Sequence, residues 1–253
     1  MHTTPRFSLL PLLLAITLLV TSCGVEATSL SLIPMQPTEE NMATTNIIDP
    51  ASEVRGVWIA SVYNIDYPSA AGLSAEKLQA EIDAIIDTCL ETGLNTIFFQ
   101  VRPTCDALYD SDIFPVSSYL STDGKLSFDP LDYIVTEAHK NNIFVHAWVN
   151  PLRVTMNSTD VNTLPENSPA RQNPDWTVPY ADGKLYLNAG IPAVRSLVAE
   201  GVREIVAKYA VDGVVFDDYF YPYPTTNADG SAAVFDDADE YAAYGAGYES
   251  LAD

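Results

Sequence analysis

Positive charge is what this chain has least of: 12 Lys and Arg residues stand against 34 Asp and Glu, and the formal net charge is −22. Nucleic acid and anionic lipid surfaces are held through basic patches, so neither is expected to bind through charge. A neutral polymer, or one whose charge lies away from the contact, suits the chain better. Cysteine is also scarce. Cys23, Cys89 and Cys105 are too few for a disulfide framework even in an oxidising compartment. The three histidines are scattered, no Cys/His spacing marks a zinc site, and neither a metal nor another cofactor is expected. A Gly-rich phosphate turn after the first strand is missing as well, which argues against a doubly wound nucleotide-binding sheet. The apolar run from Phe7 to Val20 is too short for a comfortable membrane-spanning helix.

That run follows Arg6 and leads into Val20-Thr-Ser-Cys-Gly24, the pattern of a bacterial lipobox. Residues 1–23 are therefore expected to be a lipoprotein signal peptide, cleaved before Cys23 so that this cysteine carries the lipid. Several acyl chains on Cys23 would anchor the exported protein to a membrane of the bacterial cell envelope, on its extracytoplasmic side, each buried CH₂ contributing ~0.8 kcal/mol. The alternative is an ordinary secretory peptide with an incidental cysteine. Residues 24–52, rich in Ser, Thr and Pro, read as a flexible tether, and residues 53–253 as the folded domain.

Within that domain, apolar runs ending in polar residues alternate with amphipathic stretches. A first strand over Glu53–Ser61 precedes a helix whose Leu78, Ile82, Ile85, Ile86, Cys89 and Leu90 recur at helical spacing, with Ser74 to cap it and Gly93 to end it. Cys89 lies on that stripe and reads as a core thiol. A second strand, Asn95–Arg102, closes at Pro103, and Asp129-Pro130 opens the next helix. The third strand, Ile143–Asn150, closes at Pro151. About forty residues of loop follow, with Trp176, Tyr180 and Tyr186, before a helix from Pro192. The fourth strand, Val211 to Phe216, ends in Asp217 and Asp218. Regular βα alternation with chemistry at the strand ends predicts an α/β fold, a (β/α)8 TIM barrel. The chain stops early in what reads as a fourth helix, so the barrel is expected to be truncated after about four βα units.

Five segments carry a family resemblance: Val54-Arg-Gly-Val-Trp-Ile59, Phe99-Gln-Val-Arg-Pro103 with Asp106-Ala-Leu-Tyr109, Val145-His-Ala-Trp-Val-Asn-Pro151, Tyr186-Leu-Asn188, and Val211-Asp-Gly through Phe216-Asp-Asp-Tyr-Phe-Tyr-Pro222. Together they resemble the bacterial glycosyl hydrolase-like family ten. The resemblance implies a (β/α)8 barrel related to glycosidases and a cell-wall peptidoglycan glycan as substrate. One departure is Val215, where the family usually has a histidine.

Glycoside hydrolysis generally uses two carboxyl groups, ~5 Å apart for retention and ~6.5–9.5 Å apart for inversion. Side chains alternate along a strand, so Asp217 and Asp218 point apart and do not form that pair. Asp217 is the expected catalytic carboxylate, sharing a face with Tyr219, whose hydroxyl would hold and tune it. Asp218 is a second catalytic candidate, a substrate ligand or a supporting hydrogen-bond partner. By the same alternation Gln100 and Arg102 share a face, as do His146, Trp148 and Asn150. Arg102 either binds a substrate carboxylate, orients Asp217 or forms a buried ion pair. His146 touches substrate or fills the core, and Asn150 is a hydroxyl ligand. Asp106, Tyr219, Tyr221 and Trp176 complete the expected substrate-binding set, the aromatics as sugar platforms or as packing. The function expected is an exported, lipid-anchored glycoside hydrolase of wall glycan. The alternatives are a non-catalytic carbohydrate-binding or pseudoenzyme domain, and a metal-dependent esterase or deacetylase using Asp217, Asp218 and His146.

Overall fold

Apolar segments too short for helices become parallel strands, and the amphipathic stretches between them become the helices that cover one side. The computed structural model describes residues 53–217 and 221–247. The expected signal peptide, Cys23, the tether, Asp218 and Tyr219 lie outside the described residues. In chain order the elements are β1 (Gly56–Ile59), α1 (Ala75–Thr92), β2 (Thr96–Arg102), α2 (Pro130–Lys140), β3 (Phe144–Val149), α3 (Pro169–Gln172), β4 (Thr177–Pro179), β5 (Leu185–Leu187), α4 (Pro192–Lys208), β6 (Gly213–Phe216) and α5 (Ala238–Tyr244). Strands β1, β2, β3 and β6 form one parallel sheet in that order. A doubly wound sheet reverses its strand order at a switch point. Here each strand adds to the same edge, the winding of a barrel wall, so the fold is α/β and part of a (β/α)8 barrel. Strands β4 and β5 make a small antiparallel hairpin inside the stretch expected as loop.

Up to Val101 the outward side of the wall is apolar. Ile97, Phe99, Val101, Val145, Ala147 and Val149 are all inaccessible to solvent. Leu78, Ile82, Ile86 and Cys89 of α1, with Leu131, Ile134 and Ala138 of α2, belong to the same core. Each large side chain so buried is worth about 1.5–3 kcal/mol relative to exposure. Helix ends follow local chemistry: the Asp129 carboxylate accepts the N–H groups of Leu131 and Asp132, and Gly93 takes the left-handed conformation (φ 71°) that closes α1. Ser74 occupies the expected N-cap position of α1, but its side chain makes no capping hydrogen bond. At the foot of the sheet, Asp212 Oδ2 accepts the Val145 N–H (2.7 Å) and lies 2.8 Å from His139 Nε2, tying the end of α2 to the entry into β6.

One expectation fails at β2. Between Gln100 and Arg102 the register slips: Gln100 lies opposite Trp148, whereas Arg102 lies opposite Val149 rather than Asn150. The extra residue is a β-bulge, and it breaks the two-residue alternation. Arg102 therefore does not share a face with Gln100 but turns toward α4. Its side chain is fully buried, with the guanidinium carbon 3.6 Å from the centre of the Phe114 ring, and Nε and Nη1 have no hydrogen-bond partner among the described residues. Gly201 of α4 makes the room: a Cβ there would stand 2.5 Å from Arg102 Nη1 and 2.9 Å from Phe114 Cε2.

That close approach sets two effects against each other at Gly201. Alanine is better than glycine in a helix by about 1 kcal/mol, while overpacking a filled core costs about 1–3 kcal/mol. Arg102 and Phe114 are both buried at that contact, so Gly201→Ala is expected to destabilise the protein by about 0–2 kcal/mol net. Urea unfolding of both proteins measures it. A gain in stability would show that the Arg102 side chain moves freely.

Candidate active site

Beyond Ile59 the chain leaves β1 through Ala60 and Ser61 into a 3-10 turn at Val62–Asn64. Two backbone donors at that exit, the N–H groups of Ser61 and Val62, converge on one side-chain oxygen, Gln100 Oε1 (2.8 and 3.0 Å). An amide whose oxygen is so occupied turns its nitrogen the other way. Gln100 Nε2 donates to Asn150 Oδ1 (2.6 Å), which in turn leaves Asn150 Nδ2 to donate to Asp217 Oδ2 (3.1 Å). Four strand ends are thus joined by one chain of hydrogen bonds. Its direction is imposed by backbone N–H groups that cannot be reversed. Gln100 and Asn150 are completely shielded from solvent, and the Asp217 N–H is itself held by the Val149 carbonyl (3.2 Å).

The chemical consequence lies at Asp217. Oδ2 is committed to accepting from Asn150, which fixes the orientation of the carboxyl group. A carboxylate fixed at the C-terminal end of a half-buried parallel strand can serve as proton acceptor, nucleophile or ligand. Asn150 and Asp217 are the expected site residues that the structure brings together. Gln100 was not among the expected site residues. Its signal is a polar side chain at a strand end on the face that Asn150 also occupies.

Deeper on the same face lies an aromatic layer. Trp58 stacks on Phe98 with centroids 4.5 Å apart, Trp148 meets Trp58 edge-on at 5.0 Å, and His146 meets Phe98 at 5.2 Å. His146 pairs in register with Gly213, where a Cβ would come within 2.7 Å of its Nδ1, so the glycine makes room for the imidazole. Burial holds the His146 pKa below its ordinary value, against the charge of Asp212. Asp217 stands four residues further along the strand than Gly213, roughly 13 Å of rise. His146 therefore belongs to the aromatic layer and not to the immediate surroundings of Asp217.

The remaining candidates are dispersed. Arg102 lies on the helix side of the wall. Trp176, half-buried, packs against the core. The Tyr221 hydroxyl donates to Asp237 and its ring meets Phe235 at 5.0 Å; burial, with Asp237, pushes its pKa up to about 12. Asp106 lines a separate cavity and accepts the Thr104 hydroxyl at 2.8 Å. Burial pushes its carboxyl above the ordinary carboxylate range, opposed by hydrogen bonds from Ser117 and Thr104. Cys105 is a buried free thiol, also pushed up by burial, and hence a poor nucleophile. Among the described residues no three His, Cys, Asp or Glu side chains converge as metal ligands would.

The Glycosyl hydrolase-like 10 family profile matches residues 53–250. The chain is 44% identical over 195 residues to glycosyl hydrolase YngK of Bacillus subtilis (strain 168), an alignment covering 76% of this chain and 37% of that protein. It is 34% identical over 262 residues to glycosyl hydrolase DigH of Escherichia coli (strain K12), covering 96% and 57% respectively. The chain thus spans well under two thirds of the length of either relative. A solved structure similar to it is the noncanonic maltogenic alpha-amylase AmyB from Thermotoga neapolitana, with a TM-score of 0.44 at 16% identity over 66% of this chain and 40% of that one.

The hydrogen-bond chain makes an ordered prediction about stability. Gln100→Leu strands two backbone donors and the Asn150 oxygen, and each buried unsatisfied group costs about 1–3 kcal/mol. Gln100→Glu still accepts both N–H groups and, with its buried carboxyl protonated, donates its O–H to Asn150 Oδ1, so at acidic pH it should be the milder change. Chemical denaturation of the two variants checks that order, and equal losses would count against the chain as a structural unit.

Proposed function

The chain belongs to the glycosyl hydrolase-like 10 family, and from that premise we propose that it hydrolyses glycosidic bonds of cell-wall glycan with Asp217 as a catalytic carboxylate. The observation that carries this reading is Asp217 itself, at the C-terminal end of a parallel strand, anchored through Asn150 and Gln100 to the backbone of β1. Barrel enzymes place their chemistry at that end. Acid–base and nucleophilic roles both require a carboxyl group in a defined position. Asp218, the next residue, serves as a second ligand or a support in this proposal. Asn150, shielded from solvent, positions Asp217 rather than touching the substrate.

The net charge of −22 narrows the substrate. A wall glycan still carrying acidic peptides is repelled by such a surface, whereas the neutral strand stripped of peptide is not. The proposed substrate is therefore peptide-free glycan, a polysaccharide. Its place of action follows from the lipobox at Val20–Gly24: the protein is exported and held to the membrane by lipid on Cys23.

Asp217→Asn keeps the shape and the acceptor for Asn150 while removing the charge. It should lower release of reducing ends from purified glycan strands by ~10²–10⁴-fold or more, with the thermal melt unchanged, and Asp218→Asn should lose less. Near-normal turnover in Asp217→Asn would remove Asp217 from catalysis, and glycan binding without turnover in the wild type would make the domain a binding module. For the anchor, Cys23→Ser should abolish incorporation of radiolabelled palmitate, and equal labelling of wild type and variant would refute lipidation there.

A further inference from the structure

A cavity opens at the same end of the sheet, away from the Gln100–Asn150–Asp217 chain. Its volume is about 540 Å³, and its walls come from the loops after β2 and β3. None of its lining residues belongs to that chain. The size falls within the roughly 300–1,000 Å³ of small-molecule sites. Thr104, Asp106, Ser118, Asn157 and Asn162 supply hydroxyl, carboxyl and amide groups to the walls, interleaved with apolar surface such as Val116 and Leu164. Alternating donors, acceptors and apolar patches match a pyranose, whose hydroxyls ring an edge and whose C–H groups form the faces.

The loop after β1 supplies what such a cavity needs at its rim. Tyr63 and Asn64 both adopt left-handed backbone angles (φ 56° and 53°), which are sterically costly for residues other than glycine, most of all for a bulky one. The turn is held by the Asn64 side chain, whose Nδ2 donates to the carbonyls of Pro68 (2.7 Å) and Tyr119 (2.8 Å). As a result the Tyr63 ring meets Tyr119 edge-on at 6.2 Å and its hydroxyl donates to Asn157 Oδ1 (2.8 Å). Tyr119 and Asn157 both line the cavity. Yet Tyr63 remains 52% exposed. A large aromatic ring held in a strained turn, and left half in water at the edge of the cavity, is poorly explained by packing. Strain of this kind concentrates at ligand-binding positions.

We propose that this cavity is a sugar-binding subsite, taking one neutral pyranose unit of the glycan with Tyr63 as the aromatic platform at its rim. The ligand is neutral because the lining carries charge of both signs without a surplus of either: Arg171, whose Nη1 donates to the Leu164 carbonyl (2.5 Å), stands with Asp106 in the same walls. The subsite rests on the reading of the chain as glycan-acting, and it places a sugar unit away from the bond at Asp217, adding length preference to the site.

The test is titration of peptide-free glycan strands into wild type, Tyr63→Gly and Tyr63→Phe, with a thermal melt of each. Glycine relieves the left-handed strain, so Tyr63→Gly should melt no lower than wild type while binding about tenfold or more weakly, the loss of one well-placed aromatic contact. Tyr63→Phe keeps the ring and should retain most of the affinity. Unchanged affinity in Tyr63→Gly overturns the subsite, even where the wild type hydrolyses the strands and the catalytic reading stands. Weakened binding in a protein that never hydrolyses them supports the subsite and overturns the catalytic reading instead. Strands that the wild type neither binds nor cleaves overturn both.

Discussion

Two backbone N–H groups aimed at one glutamine oxygen set the direction of every polar contact that follows. Had the Ser61 and Val62 donors pointed elsewhere, the Gln100 amide would be free to turn, and Asn150 could present its oxygen rather than its nitrogen to Asp217. Oxygen facing carboxylate is repulsive. Because the origin of the chain lies in the main chain, side-chain rotation cannot undo it. Holding a half-buried carboxylate in one orientation requires donors, and this fold supplies one through two buried amides.

Much of this was legible before any coordinates. The strand ends carrying Asn150 and Asp217 could be located from apolar runs closed by prolines and acids, and alternation along β3 puts His146, Trp148 and Asn150 on one face. Alternation worked there because nothing interrupts that strand. It failed at Arg102 because a bulge adds a residue without leaving a mark in composition. Residues 100–103 read as a strand end in either register. Only the packing of a guanidinium over Phe114 and under Gly201 distinguishes the two.

The helix caps show the same division. Asp129 before Pro130, and Gly93 at a left-handed end, act through local covalent geometry, which sequence states directly. Ser74 has the right identity and backbone angles, but its hydroxyl makes no capping bond. Tertiary placement also decided Trp176, which an aromatic-rich loop suggests as a platform but which packs against the core. Tyr63 went the other way. Nothing in Val62-Tyr-Asn64 announces a left-handed tyrosine, since that conformation is imposed by the two carbonyls waiting for Asn64.

The aromatic layer of the wall also makes the chain its own optical gauge. Its three tryptophans sit in unlike surroundings: Trp148 is 9% exposed, Trp176 is half-buried, and Trp58, stacked on Phe98, leaves 48% of its surface in water. Indole emission moves to shorter wavelength as water is removed. Any body that settles on the concave face, whether polypeptide or ligand, dries Trp58 while leaving Trp148 as dry as before. The colour of the fluorescence therefore reports occupancy of that face without any label.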